Sequence, residues 1–85
     1  MSLRLRADVS LAETDDGMVL LDERSGRYWQ LNSSGALALR RLLEGATLED
    51  VVKALVSRYP VSRERAGSDV TALVESLRKA RLVRS

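Results

Sequence analysis

The 85-residue chain contains no cysteine and no histidine. The thiolate and imidazole ligands of zinc sites, the cysteine nucleophiles and the histidine general bases are therefore all missing. Most enzyme mechanisms are excluded on that ground, and a non-catalytic protein without cofactor or metal is expected. Proline occurs once, and the five glycines, at positions 17, 26, 35, 45 and 67, never cluster as a phosphate-cradling loop requires. No apolar run approaches the roughly 18 residues of a membrane span, and the N-terminus lacks the hydrophobic core of a signal sequence. A cytoplasmic protein with no membrane partner is expected, in keeping with the absence of cysteine.

What is present is a balanced, apolar-rich chain. Apolar residues make up 45% and charged residues 31%, which places the chain among globular rather than disordered proteins, as one domain spanning 1–85. The net charge is +2, from 14 basic and 12 acidic side chains, too even to mark a nucleic-acid footprint from totals alone. Basic residues gather at the end, at Arg78, Lys79, Arg81 and Arg84, where they also complement the dipole of a closing helix.

The first half reads as strands. Met1 to Ala7 alternates Leu3 and Leu5 with Arg4 and Arg6, suiting a strand, an arm laid along the body or a frayed terminus. Asp8 to Glu13 alternates Val9 and Leu11 with Ser10 and Ala12, the pattern of a half-buried strand. Thr14-Asp15-Asp16-Gly17 holds an Asp-Gly pair between apolar runs, a hairpin signal that rests on glycine's tolerance of positive φ. Met18 to Asp22 returns, its four consecutive apolar residues predicting a central strand covered on both faces. Glu23-Arg24-Ser25-Gly26 turns again, and Arg27 to Leu31 forms a third strand at the edge of the meander.

The second half reads as helices. Asn32, Ser33 and Ser34 can cap a helix with a narrow apolar stripe of Ala36, Leu39, Leu42 and Leu43, closed at Gly45. Thr47 caps a second helix with Glu49 and Asp50 in its first turn. Its core positions are Leu48, Val51, Val52, Leu55, Val56 and Tyr59, and Pro60 stops it. Ser62 caps a third, which either tolerates Gly67 or restarts at Ser68; Val70, Leu73, Val74 and Leu77 form its core face. The fold class is α+β, a three-stranded antiparallel meander followed by three helices.

Surface is then the remaining functional resource. Adjacent carboxylates such as Asp15 with Asp16 point to opposite faces or lie in turns, and Ser33-Ser34 has no base partner. The edge segment Tyr28-Trp29-Gln30-Leu31 is aromatic and uncharged. Either Arg27 guards it against pairing, or an extended peptide adds to it as a further strand. The opposite wall of such a groove would come from Asp69, Leu73, Ser76 and Ala80, which fall on one line of the last helix. Both readings of the edge are open at this point.

The turn glycine, the aromatic pair, Leu-Asn-Ser-Ser-Gly-Ala opening a helix and Leu-Leu-Glu-Gly closing it, followed by Thr-Leu-Glu-Asp-Val-Val and Asp-Val-x-x-Leu-Val-x-x-Leu, together resemble the PqqD-like family. Its members are winged-helix-like recognition elements for ribosomally made, modified peptides. The resemblance covers roughly residues 8–83. It implies that a precursor's leader peptide docks as an extra antiparallel strand on Arg27, Tyr28, Trp29, Gln30 and Leu31, against a wall of Asp69, Leu73, Ser76 and Leu77. Discrete members look most like those of lasso peptide pathways, whose partners are a cysteine leader peptidase and an ATP-dependent macrocyclase. A chain complete at 85 residues with no fused enzyme fits that type, as it fits the peptide chaperone of a radical enzyme. One departure stands out: the chain ends Ala80-Arg81-Leu82-Val83 where the family commonly has a glycine before the final apolar pair.

Two other readings compete. A winged-helix nucleic-acid binder would use the helix pair around Pro60, yet its hairpins precede its helices and Asp69 and Glu75 sit on the candidate reader. A homodimer seam would use the same edge strand, so the expected state is a monomer or weak dimer.

Overall fold

The computed structural model describes residues 3–84; Met1, Ser2 and Ser85, the first two within the predicted N-terminal arm, lie outside the described residues. Among the described residues, five strands and three helices follow in the order β1 (Arg4–Leu5), β2 (Val9–Thr14), β3 (Gly17–Asp22), β4 (Tyr28–Asn32), α1 (Ser33–Leu43), α2 (Leu48–Arg58), α3 (Arg63–Lys79) and β5 (Val83–Arg84). Strands β2, β3 and β4 form the expected antiparallel meander with β3 in the middle. Among the described residues no helix is long and apolar enough to cross a membrane.

The N-terminal arm is a strand, and its partner is the other end of the chain. Arg4 stands opposite Arg84 and Leu5 opposite Val83, an antiparallel pair of two residues each. Leu3, Leu82 and Val83 are buried beside it. Beneath this clasp lies Arg6, whose Nη2 donates to Asp22 Oδ1 at 2.6 Å and whose Nη1 donates to the Arg81 carbonyl at 2.6 Å. Nε of Arg6 donates to Asp8. Burial alone raises the pKa of the Asp22 carboxyl, but hydrogen bonds from Arg6, the Ser25 hydroxyl and the Arg24 amide outweigh it and hold the group below its ordinary value.

Gly17 differs from its sequence reading. The hairpin loop consists of Asp15 and Asp16, with Thr14 paired to Gly17, so the glycine opens β3 instead of forming the turn. A Cβ there would lie 1.9 Å from the Leu31 carbonyl oxygen, so it is the close approach of β4 that demands glycine. Gly26, at φ +76°, supplies the left-handed turn residue before β4.

Three core expectations are also corrected. Strand β3 is central, but its outer face is open: Met18 and Leu20 are buried, Val19 is half-buried and Leu21 is 37% exposed. The helices cover only one side of the sheet. Leu48 and Val56, read as core, are exposed at 39% and 37%, because the apolar stripe of α2 is broader than the arc its neighbours cover. Conversely α1 buries Ala36, Leu37, Ala38, Leu39 and Leu42 rather than a narrow stripe, since it packs on the sheet as well as on α2 and α3. Helix α3 runs unbroken through Gly67.

Candidate functional site

Main-chain phase decides what β4 can offer. The Asp22 amide donates to the Arg27 carbonyl at 2.8 Å, making Asp22 and Arg27 a hydrogen-bonded pair. Antiparallel ladders alternate bonded and non-bonded pairs, so Trp29 and Leu31 also spend their amides and carbonyls on β3, opposite Leu20 and Met18. Tyr28 and Gln30 therefore turn theirs to the free edge, with the Asn32 amide beside them. Of the five residues expected to pair through their main chain, Arg27, Trp29 and Leu31 are turned the wrong way.

Side chains alternate on the other axis. Trp29 and Leu31 are half-buried on the inner face and pack against the core, while Tyr28, 67% exposed, and Gln30 lie on the outer face. Which aromatic faces the core is thus settled in favour of Trp29.

The edge runs straight into α1. Asn32 is both the last residue of β4 and the N-cap, its Oδ1 accepting from the Gly35 amide at 2.9 Å and from the Ser34 hydroxyl at 3.1 Å. This joint forms one wall of an open groove of about 400 Å³ whose lining includes Gln30, Leu31, Asn32, Ser34, Gly35 and Ala38. Asp69, Val70 and Leu73 of α3 form the facing wall, and Leu55, Tyr59, Val61 and Ala66 complete the lining. The groove is mainly apolar, with Asp69 as its one acid; Arg65 Nε lies 3.4 Å from that carboxylate, both side chains being mostly exposed.

Of the nine residues expected at a binding site, the structure brings Gln30, Leu31, Asp69 and Leu73 into this groove. Arg27, Tyr28 and Trp29 line a separate shallow depression with Gly26, at the other end of the strand. Ser76 is exposed outside the groove lining, and Leu77, 2% exposed, belongs to the core. The contributions of Ala38, Tyr59, Val61 and Ala66 were missed. Tyr59-Pro60-Val61 carried the only signal, since two large apolar residues flank a proline at a corner where they cannot both be covered by a regular helix.

The two sheet edges are treated differently. On β2, Glu13 takes hydrogen bonds from Arg40 of α1 at 2.8 and 3.2 Å, so that edge carries a charged bridge to the helix. From Tyr28 to Asn32, β4 has no charged residue. Charge is a common way of discouraging strand addition, and only β2 has it. Among the described residues, no group of three or more His, Cys, Asp or Glu side chains is placed to hold a metal ion.

Comparison with known proteins agrees with this architecture. A solved structure described as "Lasso peptide synthetase B1 complexed with the leader peptide" superposes with a TM-score of 0.92 at 48% identity, covering 100% of both chains. A second, "TbiB1 in Complex with the TbiA(beta) Leader Peptide", gives a TM-score of 0.84 at 28% identity, covering 100% of this chain and 96% of that one. No curated protein matches the chain. The family model for coenzyme PQQ synthesis protein D (PqqD) matches residues 17–83, and the chain belongs to that family as a PqqD-like recognition element.

Proposed function

We propose that this protein binds the leader segment of a ribosomally made precursor as an added antiparallel strand on β4, and presents the precursor to processing enzymes. The carrying observation is the uncharged edge with outward main-chain groups at Tyr28 and Gln30, set directly beside the apolar groove. Main-chain bonds supply affinity in strand addition, and alternate side chains entering a groove supply selectivity. Two relatives over the full chain are leader-peptide complexes, which supports the same reading.

The binding groups, in this reading, are the main chain of Tyr28 and Gln30 with Leu31, Asp69 and Leu73 around the groove. Arg27, Trp29, Ser76 and Leu77 act by position or packing. The protein performs no chemistry itself: it holds the leader while a cysteine peptidase removes it and an ATP-dependent cyclase closes the product. The 48%-identical relative, described as a lasso peptide synthetase B1, favours these partners over the radical enzyme of a quinone pathway.

Titrating the purified chain with the leader peptide of the 48%-identical relative tests this directly. Saturable binding in the micromolar range or tighter is expected. If neither that leader nor the precursor encoded alongside this protein binds, the proposal fails.

A further inference from the structure

An antiparallel strand on β4 has a defined direction. Since β4 runs from Tyr28 to Asn32, the guest enters beside Asn32 and leaves beside Tyr28 and Arg27. What lies at the exit is unusual in charge and in backbone. Arg6, its side chain only 12% exposed, engages both Asp8 and Asp22. Around that knot stand Arg24, whose Nε is 3.1 Å from Asp8; Arg27, whose carbonyl accepts from Asp22; and Arg81, whose carbonyl accepts from Arg6. Neither Arg27 nor Arg81 has an ion-pair partner among the described residues.

Two features here work against stability. Arg81 is the only non-glycine residue at positive φ, +60°, among the described residues, a conformation that strains any side chain with a Cβ. Arg4 and Arg84 face each other directly across the β1–β5 pair, where like charges repel. Arg81 follows the α3 C-cap, where the Leu82 amide closes on the Leu77 carbonyl at 2.9 Å and a left-handed residue ends the helix. What the turn leaves unexplained is an arginine there in place of a glycine, and both features add positive charge at the same end of the molecule.

We propose that this exit is an anion-reading subsite: the stretch of peptide immediately C-terminal to the docked strand carries acidic side chains that pair with Arg24, Arg27 and Arg81. The inference rests on strand addition to β4, which sets the guest's direction. It deepens that reading by giving the site a second zone, apolar at the groove and electropositive at the exit. Arg24 already shares Asp8 with Arg6, whereas Arg27 and Arg81 have no carboxylate partner among the described residues, so these two have the most to gain from an acidic guest.

Fluorescence anisotropy with three synthetic probes tests it: the relative's leader ending where the docked strand ends, the same peptide extended by about four Asp and Glu residues, and one extended by the matching Asn and Gln residues. The acidic extension should tighten binding over the amide extension. That advantage should shrink from about 50 to about 500 mM NaCl. Arg81→Gly should weaken the acidic probe about two- to five-fold and leave the short probe unchanged, and Arg27→Gln should weaken the acidic probe about two- to five-fold more than the short one. Arg81→Gly should hold or raise the Tm, since it removes left-handed strain, so its loss of affinity cannot be unfolding. Equal affinity for both extensions, or variants that do not discriminate between probes, would overturn the subsite. If no probe binds the unmodified chain, strand docking itself fails and the subsite with it.

Discussion

Replacing Gln30 with proline separates the free edge of β4 from its bonded one. The Asp22–Arg27 hydrogen bond sets the phase of the ladder, so the Gln30 amide points away from β3 and its loss removes no bond within the sheet. Proline is tolerated at such edge positions, and Trp29 before it is already extended, as a residue preceding proline must be. The guest strand, by contrast, loses a donor worth about 0.5–1.5 kcal/mol net. It also meets the ring where its carbonyl should sit, which displaces the neighbouring bond at Tyr28 as well. Together these amount to about 1.5–3 kcal/mol, or roughly ten- to a hundred-fold in Kd. The assay pairs leader anisotropy with a thermal melt by circular dichroism. Gln30→Pro should melt within a few degrees of the parent and bind much more weakly. Trp29→Pro, which breaks a ladder bond to β3 and removes a half-buried ring, should lose the fold. A folded Gln30→Pro protein with unchanged leader affinity would refute the assignment of β4 as the docking edge.

The other predictions probe the groove, the register and the clasp. Leu73→Glu places a charge on the α3 wall of the apolar groove; because Leu73 is only half-buried, the circular dichroism spectrum should survive while leader affinity falls about ten-fold or more. Retained affinity would remove Leu73 from the site. Gly17→Ala forces a Cβ against the Leu31 carbonyl and should destabilise the chain by about 1–3 kcal/mol, lowering the Tm and loosening the docking strand together; a Tm equal to the parent's would mean that β4 shifts freely. Acid should act through Asp8 and Asp22, both held below the ordinary value of 3.8, Asp8 chiefly by its hydrogen bond from Arg6. A carboxyl depressed in the folded state stabilises once the unfolded carboxyl ionises, above about pH 4, and that contribution disappears as pH falls through the lower folded value. The Tm should therefore hold steady from neutral pH to about 5 and drop below 4, with a shallower drop in Asp22→Asn; identical profiles would count against the clasp.

Part of the fold and of the candidate site was legible because its signals are local. The aromatic pair, the Asn32 cap and the Thr47 cap with its reciprocal Asp50 bond each involve residues within four positions of one another. Such patterns act within a single strand or turn, so they can be read without knowing what packs where. Leu77 illustrates the limit. Periodicity placed it on the core line of α3, and the resemblance placed it on the groove wall; packing left it 2% exposed, so the core line prevailed. Leu48 and Val56 err the other way, since a sequence stripe does not state how wide an arc the neighbouring elements will cover.

By itself the sequence determined the order of the three meander strands and the three helices, the joint at Asn32, the uncharged run from Tyr28 to Leu31 and the absence of thiol and imidazole side chains; the pairing of the two chain ends as β1 and β5 it did not show. These are matters of residue type and short-range spacing. Tertiary structure alone decided that Tyr28 and Gln30, and not Arg27, Trp29 and Leu31, turn their main chain to the free edge of the sheet, because that depends on hydrogen-bond phase across two strands. It also decided that Tyr59, Val61 and Ala66 line the groove and that Arg6 ties Asp22 to Arg81 across the whole chain. Contacts between residues so far apart in sequence leave no periodic trace, and only the packed core brings them within reach of one another.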